Sequence, residues 1–211
     1  MRFAIISSAA VALALLTSPA SAAIIVNNIA YNDAAAPTGP FVSLPDGRFS
    51  QGMFQTGSSN GVYAQPAGSS GLYWSVGPTG NGPSPGYLDT TGLRSISFLW
   101  GSVDDFNKID FLDAGNNVLA SITGLMVGPP ANGDQGAPST NRYVTLNLQD
   151  SSLSGLAKLS FSSTSNAFET ANYMFSAVPE SSTWAMMILG IGLIGGVMRR
   201  RARTAVTYNF A

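Results

Sequence analysis

The side chains best equipped for chemistry crowd into one stretch, FLWGSVDDFNKIDFLDAGNNVLASITG. Asp104, Asp105, Asp110 and Asp113 put four carboxylates within ten residues, and Asn107 adds an amide oxygen. Oxygen ligands at that density can hold Ca2+, which takes six to eight of them. The spacing fits no EF-hand loop, because no glutamate stands at the twelfth position counted from Asp104. A solvated hairpin whose Asp and Asn side chains bond nearby backbone is the plainer reading. A second chemistry recruits a partner from elsewhere. Asp104 or Asp105 with Glu169 makes a carboxylate pair of the kind that cleaves glycosidic bonds. Other reactions lack their residues: with no histidine and no cysteine in the chain, Ser-His-Asp triads, Cys-His pairs and ordinary zinc sites are excluded. Nor is there a P-loop or a strand-anchored G-x-G-x-x-G for nucleotides. No catalytic residue is therefore assigned, and no metal ligand beyond the open Ca2+ reading.

The elements that must position these groups read as strands and turns. LRSISFLW alternates Leu93, Ser95, Ser97 and Leu99 against Arg94, Ile96, Phe98 and Trp100, a period of two. KIDFLDAGNNVLASITG predicts two strands around the turn Asp113-Ala114-Gly115-Asn116-Asn117, with Ile109 and Phe111 on one face of the first. Val118, Ala120 and Ile122 share a face of the second. Further strands are expected at Ile24–Ile29, Gly52–Gln55, Gly71–Val76, Arg142–Leu148, Leu156–Ser162 and Asn172–Ala177. Pro78–Gly86 and Gly128–Thr140 read as Pro/Gly/Asn loops. The fold class expected is all-β, an antiparallel sandwich or jelly roll over residues 23–177. Trp100, on an alternating strand, belongs to its core. Tyr63, Tyr73, Trp74 and Tyr87, near glycine loops, are the expected exposed aromatics, on whose faces sugar rings could stack.

Composition agrees with an exported protein. Charged residues make up only 10% of the 211, against 23 Gly and 12 Pro, so the polar surface must come from Ser, Thr, Asn, Gln and Gly. The N-terminus, MRFAIISSAAVALALLTSPASAA, has Arg2, an apolar run and a small-residue site at Ala20-Ser21-Ala22. That is the layout of a secretory signal peptide, residues 1–22, cut before Ala23 by signal peptidase after passage through the general secretion machinery. From Ala23 to Glu180 eleven acidic side chains face five basic ones. An acidic body without a basic patch argues against nucleic acid as a partner.

At the other end, PESSTWAMMILGIGLIGGVMRRR carries fifteen uncharged residues from Trp184 to Met198, followed by Arg199, Arg200 and Arg201. At 1.5 Å per residue those fifteen span about 22 Å of helix, against a hydrocarbon core of about 30 Å. A single transmembrane helix, 184–198, is expected if the bilayer thins locally. The arginines place the basic tail, 199–211, in the cytoplasm and the body outside it. Gly192 and Gly196 form a G-x-x-x-G pair.

Pro179-Glu180, then Trp184-Ala185-Met186-Met187, a Gly-rich apolar run and the arginines resemble the PEP-CTERM sorting signal in its Trp-Ala variant. Ser181 stands where the family has a second proline, which loosens the backbone at that point. The resemblance covers residues 178–211. It implies a substrate of exosortase in a Gram-negative bacterium: an inner-membrane-anchored precursor, then release to the cell surface or into extracellular polysaccharide. Within the body, Trp100, Gly101, Ser102, Asp104, Phe106 and Asn107 are similar to the W-G-S-x-D-x-aromatic-N motif of one family of exosortase-dependent surface proteins. Phe168, Glu169 and Asn172 match that family's last strand, with Ala171 in place of its aspartate. No activity goes with that pattern. The leading expectation is thus a non-catalytic surface or matrix protein. A carbohydrate-binding module, with Ca2+ as an optional cofactor, is the alternative, and a carboxylate-based glycosidase the third.

Overall fold

The computed structural model describes residues 24–178 and 181–201. The signal peptide with Ala20, Ala22 and Ala23, the motif residues Pro179 and Glu180, and positions 202–211 lie outside the described residues, as do the side chains of Trp184, Arg200 and Arg201.

Eleven strands build the body: β1 Ile25–Ala30, β2 Phe49–Ser50, β3 Met53–Gln55, β4 Tyr73–Val76, β5 Gly86–Asp89, β6 Leu93–Gly101, β7 Asn107–Asp113, β8 Val118–Thr123, β9 Arg142–Asn147, β10 Leu156–Ser163 and β11 Phe168–Ala177. A four-residue helix, α1 Gly124–Val127, follows β8, and helix α2, Ser181–Arg201, follows β11. The strands form two antiparallel sheets, β1-β9-β6-β11-β4-β3 and β2-β5-β10-β7-β8, as an all-β sandwich.

The period of two in β6 sends Ile96, Phe98 and Trp100 between the sheets, where all three are fully buried. Phe161 of β10 answers them from the opposite sheet, its ring 5.3 Å from Trp74, 5.8 Å from Phe98 and 5.3 Å from Phe168. Leu99, on the other face of β6, is equally buried, because a small second cluster with Tyr73, Tyr143 and Ala171 covers the outside of the six-stranded sheet. Tyr31, Phe41 and Tyr63, from the long connections before β2 and β4, pack over it. Two expected exposed aromatics are in fact buried: Tyr73 under that second layer, and Trp74, on the other face of β4, in the core between the sheets. A glycine-rich neighbourhood here marks places where loops press onto the sheet. Gly86, where a loop was expected to end, opens β5 and lies against Trp74; a Cβ there would come within 2.5 Å of the indole.

The Asp-Gly-Asn hairpin forms as its residues dictate. Asp113 Oδ1 accepts the backbone N–H groups of Gly115 and Asn117, both at 2.8 Å, and Asn116 takes the left-handed φ of 66°. Hydrogen bonds from the Asn117 side chain and backbone hold the Asp113 carboxyl below its usual range. Of the face expected on β8, Ile122 is buried, whereas Val118 is 57% exposed, since β8 is an edge strand. β11 starts four residues earlier than expected, at Phe168. An irregularity between Ala171 and Met174, with Asn172 at φ 51°, breaks the alternation there.

The expectation of a transmembrane helix at 184–198 is met only in part. The C-terminal segment is helical from Ser181 to Arg201, but among the described residues no helix is long and apolar enough to cross a membrane. Four glycines, Gly190, Gly192, Gly195 and Gly196, dilute its apolar run, and arginine cuts it short.

Phe168 is the side chain whose removal should cost the sandwich most clearly. Phe168→Ala is expected to destabilise the protein by about 3–5 kcal/mol, the usual cost of emptying an aromatic site in a core. Val118→Ala, on the exposed edge, should stay within about 0.5 kcal/mol. Urea unfolding midpoints of the two variants check the contrast.

Candidate functional site

The two segments singled out by their motifs meet in space. β6 and β11 are neighbours, in a register that sets Glu169 opposite Gly101 and Thr170 opposite Trp100. Trp100, next to the last residue of β6, and Phe168, the first of β11, stack at 4.4 Å with 21° between their planes. Past that stack the chain leaves β6 through Ser102, whose φ of 39° is left-handed and turns its hydroxyl back toward β11. Ser102 Oγ donates to Glu169 Oε2 at 3.3 Å, and the backbone N–H of Ala64 donates to Oε1 at 2.8 Å. Gly101 is required beside them, because a Cβ would lie 2.6 Å from the Pro66 side chain.

Asp104 comes next along the same loop and faces the same space. A backbone bridge to Asn132 brings the 132–135 loop alongside it, and Gly133, at φ 69°, passes so close that a Cβ there would run into the Asp104 carboxylate. The result is a cleft of about 280 Å³. Ser102, Asp104, Glu169, Asn132 and Gln135 line it, together with Tyr63 and Phe106. Of the carboxylate pairs weighed from sequence, the structure thus brings together Asp104 and Glu169. Asp105 stays exposed to solvent.

Their electrostatics are set by burial. Glu169 is only 2% exposed, and desolvation, helped by the nearby Asp104 charge, pushes its carboxyl up to about 7 against the two hydrogen bonds that favour the anion. Asp104 is pushed up to about 6 by desolvation and by its neighbour Asp105. No lysine or arginine lines the cleft. The Asp104 carboxylate accepts no hydrogen bond from the described residues. Chemically the two acids differ. Both oxygens of Glu169 are engaged within the fold, whereas Asp104 has its acceptors free for a ligand.

The remaining motif residues hold the cleft together from behind. Asn107 is fully buried and donates to the Ala167 carbonyl at 3.3 Å while accepting from Ser163 Oγ at 2.8 Å. It is a latch between β7 and the start of β11, not a free ligand. Asn172 lies on the outer face, donating to Tyr143 Oη at 2.7 Å and to the Gly68 carbonyl. The Ca2+ reading of the Asp-rich stretch loses its geometry here: Asp110 pairs with Lys108 at 2.8 Å and accepts from Ser121, and Asp113 is spent on its turn. Among the described residues no three acidic, histidine or cysteine side chains gather as a metal site.

Asn141 was not foreseen. Fully buried, it accepts from the backbone of Ser102 at 3.2 Å and of Ala67 at 3.0 Å, and donates to the Asp134 and Ala137 carbonyls, both at 3.1 Å. It ties together all three loops around the cleft. Only its place just ahead of β9 signals this in the sequence. Compared with known proteins, the chain matches no family model, no curated protein and no solved structure.

The raised carboxyls set a pH dependence of defined sign. Glu169 binds a proton more tightly folded (about 7) than unfolded (4.5), so its contribution to stability is full below pH 4.5 and lost as pH rises through about 7. Asp104, at about 6 against 3.8, acts in the same direction over a lower window. The unfolding midpoint should therefore fall from pH 5 to pH 8. Glu169→Gln should flatten the upper part of that profile and be more stable than the wild type at pH 8.

Proposed function

We propose that this is an exported, non-catalytic protein of the cell surface or extracellular polysaccharide, delivered there through its C-terminal signal. The observation that carries the reading is α2. Its large apolar side chains from Met186 to Met198 stand 50–67% exposed, with Ala185 at one end and the exposed Arg199 at the other. Soluble proteins seldom leave so much contiguous apolar surface uncovered, and a patch of this kind marks a membrane or partner contact. In this reading the helix is a lipid-facing handle at the inner membrane, too short for a bilayer of ordinary thickness and accommodated by local thinning, with the arginines on the cytoplasmic side. Signal peptidase removes residues 1–22, and exosortase acts on the Pro179-Glu180-Ser181 region. Sorting depends on Trp184, Ala185, Arg199, Arg200 and Arg201.

The cleft favours a second reading, a carbohydrate-binding module. Amide and hydroxyl side chains with two aromatic rings are the mixture that grips a sugar: hydroxyls to the polar groups, ring face to the aromatics. A glycosidase draws less support. A general acid must reach the glycosidic oxygen, and Glu169 is sealed with both oxygens engaged.

Cell fractionation tests the sorting reading. In cells with exosortase, protein recovered from the exterior should have a mass that begins at Ala23 and ends near Ser181. In cells lacking it, protein retaining the arginine cluster should accumulate in the inner-membrane fraction. Identical masses and fractions in the two strains would overturn the reading.

A further inference from the structure

We infer that the cleft between the β6–β7 loop and the start of β11 binds a single sugar ring that carries a protonated amine. The inference takes from the binding reading only that the occupant is a sugar; the charge of that sugar comes from the cleft. At about 280 Å³ the space is at the small end of ligand pockets, which run from about 300 to 1,000 Å³. One ring fits that scale, and a stretch of oligosaccharide does not. Asn132 and Gln135 are exposed on the 132–135 loop and offer donors and acceptors to ring hydroxyls. Tyr63 and Phe106, both half-buried, also line the cleft, and aromatic rings attract both a C–H face and a cation.

The charge decides among sugars. Asp104 and Glu169 both line the cleft, no basic side chain answers them there, and the Asp104 carboxylate has no donor from the fold. Asp105, Tyr63 and Tyr73 are the other titratable groups facing the pair, with Asp134 in the neighbouring loop, and none is cationic. A uronic acid would add a third negative charge and is disfavoured. A neutral sugar meets the amides but leaves the carboxylate pair uncompensated. An ammonium group meets both needs, through a charge-assisted hydrogen bond to Asp104. A bare Ca2+ fits less well. It wants six to eight oxygens, and Glu169 already spends one lone pair of each oxygen on Ala64 and Ser102.

Because the ligand's charge favours the ionised carboxylates, binding should strengthen from pH 5 to pH 7, as Asp104 and Glu169 lose their protons. The experiment is calorimetric titration of the full chain in detergent micelles with three single-ring probes: glucosamine, its N-acetylated counterpart, and galacturonic acid. At pH 7 the first should bind about tenfold more tightly than the second, the value of one charge-assisted hydrogen bond, and the third should not bind. Affinity for the first should drop about fivefold or more at pH 5. Asp104→Asn should reduce it to the level of the acetylated probe, and Gln135→Ala, at an exposed position remote from the core, should weaken it about threefold. Equal affinity for the first two probes, no binding of the first, or unchanged binding in Asp104→Asn overturns the inference. So does saturable binding of Ca2+ alone that Asp104→Asn abolishes. Binding of the acetylated probe alone keeps the carbohydrate reading while removing the amine, and none of these outcomes touches the fractionation test of sorting.

Discussion

The pairing of β6 with β11 is the constraint on which the rest of the molecule depends. It is the central contact of the six-stranded sheet, and its register places Glu169 opposite Gly101. From that register come the stack of Trp100 on Phe168, the reach of Ser102 to Glu169, and the closeness of Pro66 to the strand. A slip of one residue would turn Phe168 out of the core and Glu169 into it, because side chains alternate faces along a strand. Aromatic packing thus fixes where the acid sits. Electrostatics alone would not put a carboxylate at 2% exposure, since desolvation opposes its charge. The fold instead supplies a backbone N–H and a hydroxyl, and the acid keeps its proton up to about 7.

The surroundings explain why that acid is left without a cation. The body is acidic and poor in charge throughout, and Lys108 with Asp110 is the one ion pair among the described residues. Stability rests on the buried rings around Phe161 and on side-chain amides that bind backbone. Asn141 does this at the cleft and Asn107 behind it. In such a fold buried polar groups serve as rivets between loops, and an unmade hydrogen bond in the interior costs about 1–3 kcal/mol. Asp104 differs from all of these. It borders a cavity, and its carboxylate is left for whatever enters.

What the sequence disclosed follows from how local each signal is. Alternation in β6 and the Asp-Gly-Asn turn between β7 and β8 depend on neighbours a few residues apart, so both could be read directly. The strands that escaped, β2 and β5, are two and four residues long and embedded among Pro and Gly, where the turn signal outweighs any alternation. Tyr73 misled for a related reason: a second hydrophobic layer made by distant loops covers the outside of the sheet, and no pattern within β4 reports it, while Trp74 faces the core between the sheets. The cleft was half legible. Asp104 or Asp105 with Glu169 could be named as a pair once other chemistries were excluded, yet which aspartate meets Glu169 depends on the distant strand pairing of Gly101 with Glu169. Asn141 carries no local pattern at all, being a single polar residue whose partners come from three separate loops.

The same geometry bears on how the body and its C-terminal helix can have separate fates. Exposure rises along the last residues of β11, from the buried Tyr173 to the exposed Ser176 and Ala177. The final backbone bond to the sandwich is Val178 N–H to the Gly92 carbonyl, at 2.9 Å. Every ring of the core and every bond of the cleft lies before that point. The large apolar side chains of α2 that the structure describes remain exposed. A chain severed after Val178 would give up none of the burial that drives folding, since hydrophobic stabilisation scales with apolar area removed from water. An apolar helix of this kind adds nothing to the interior of the body, so its sequence is free of the packing demands that fix the strands. Loss of the helix leaves intact the strand register that shapes the cleft.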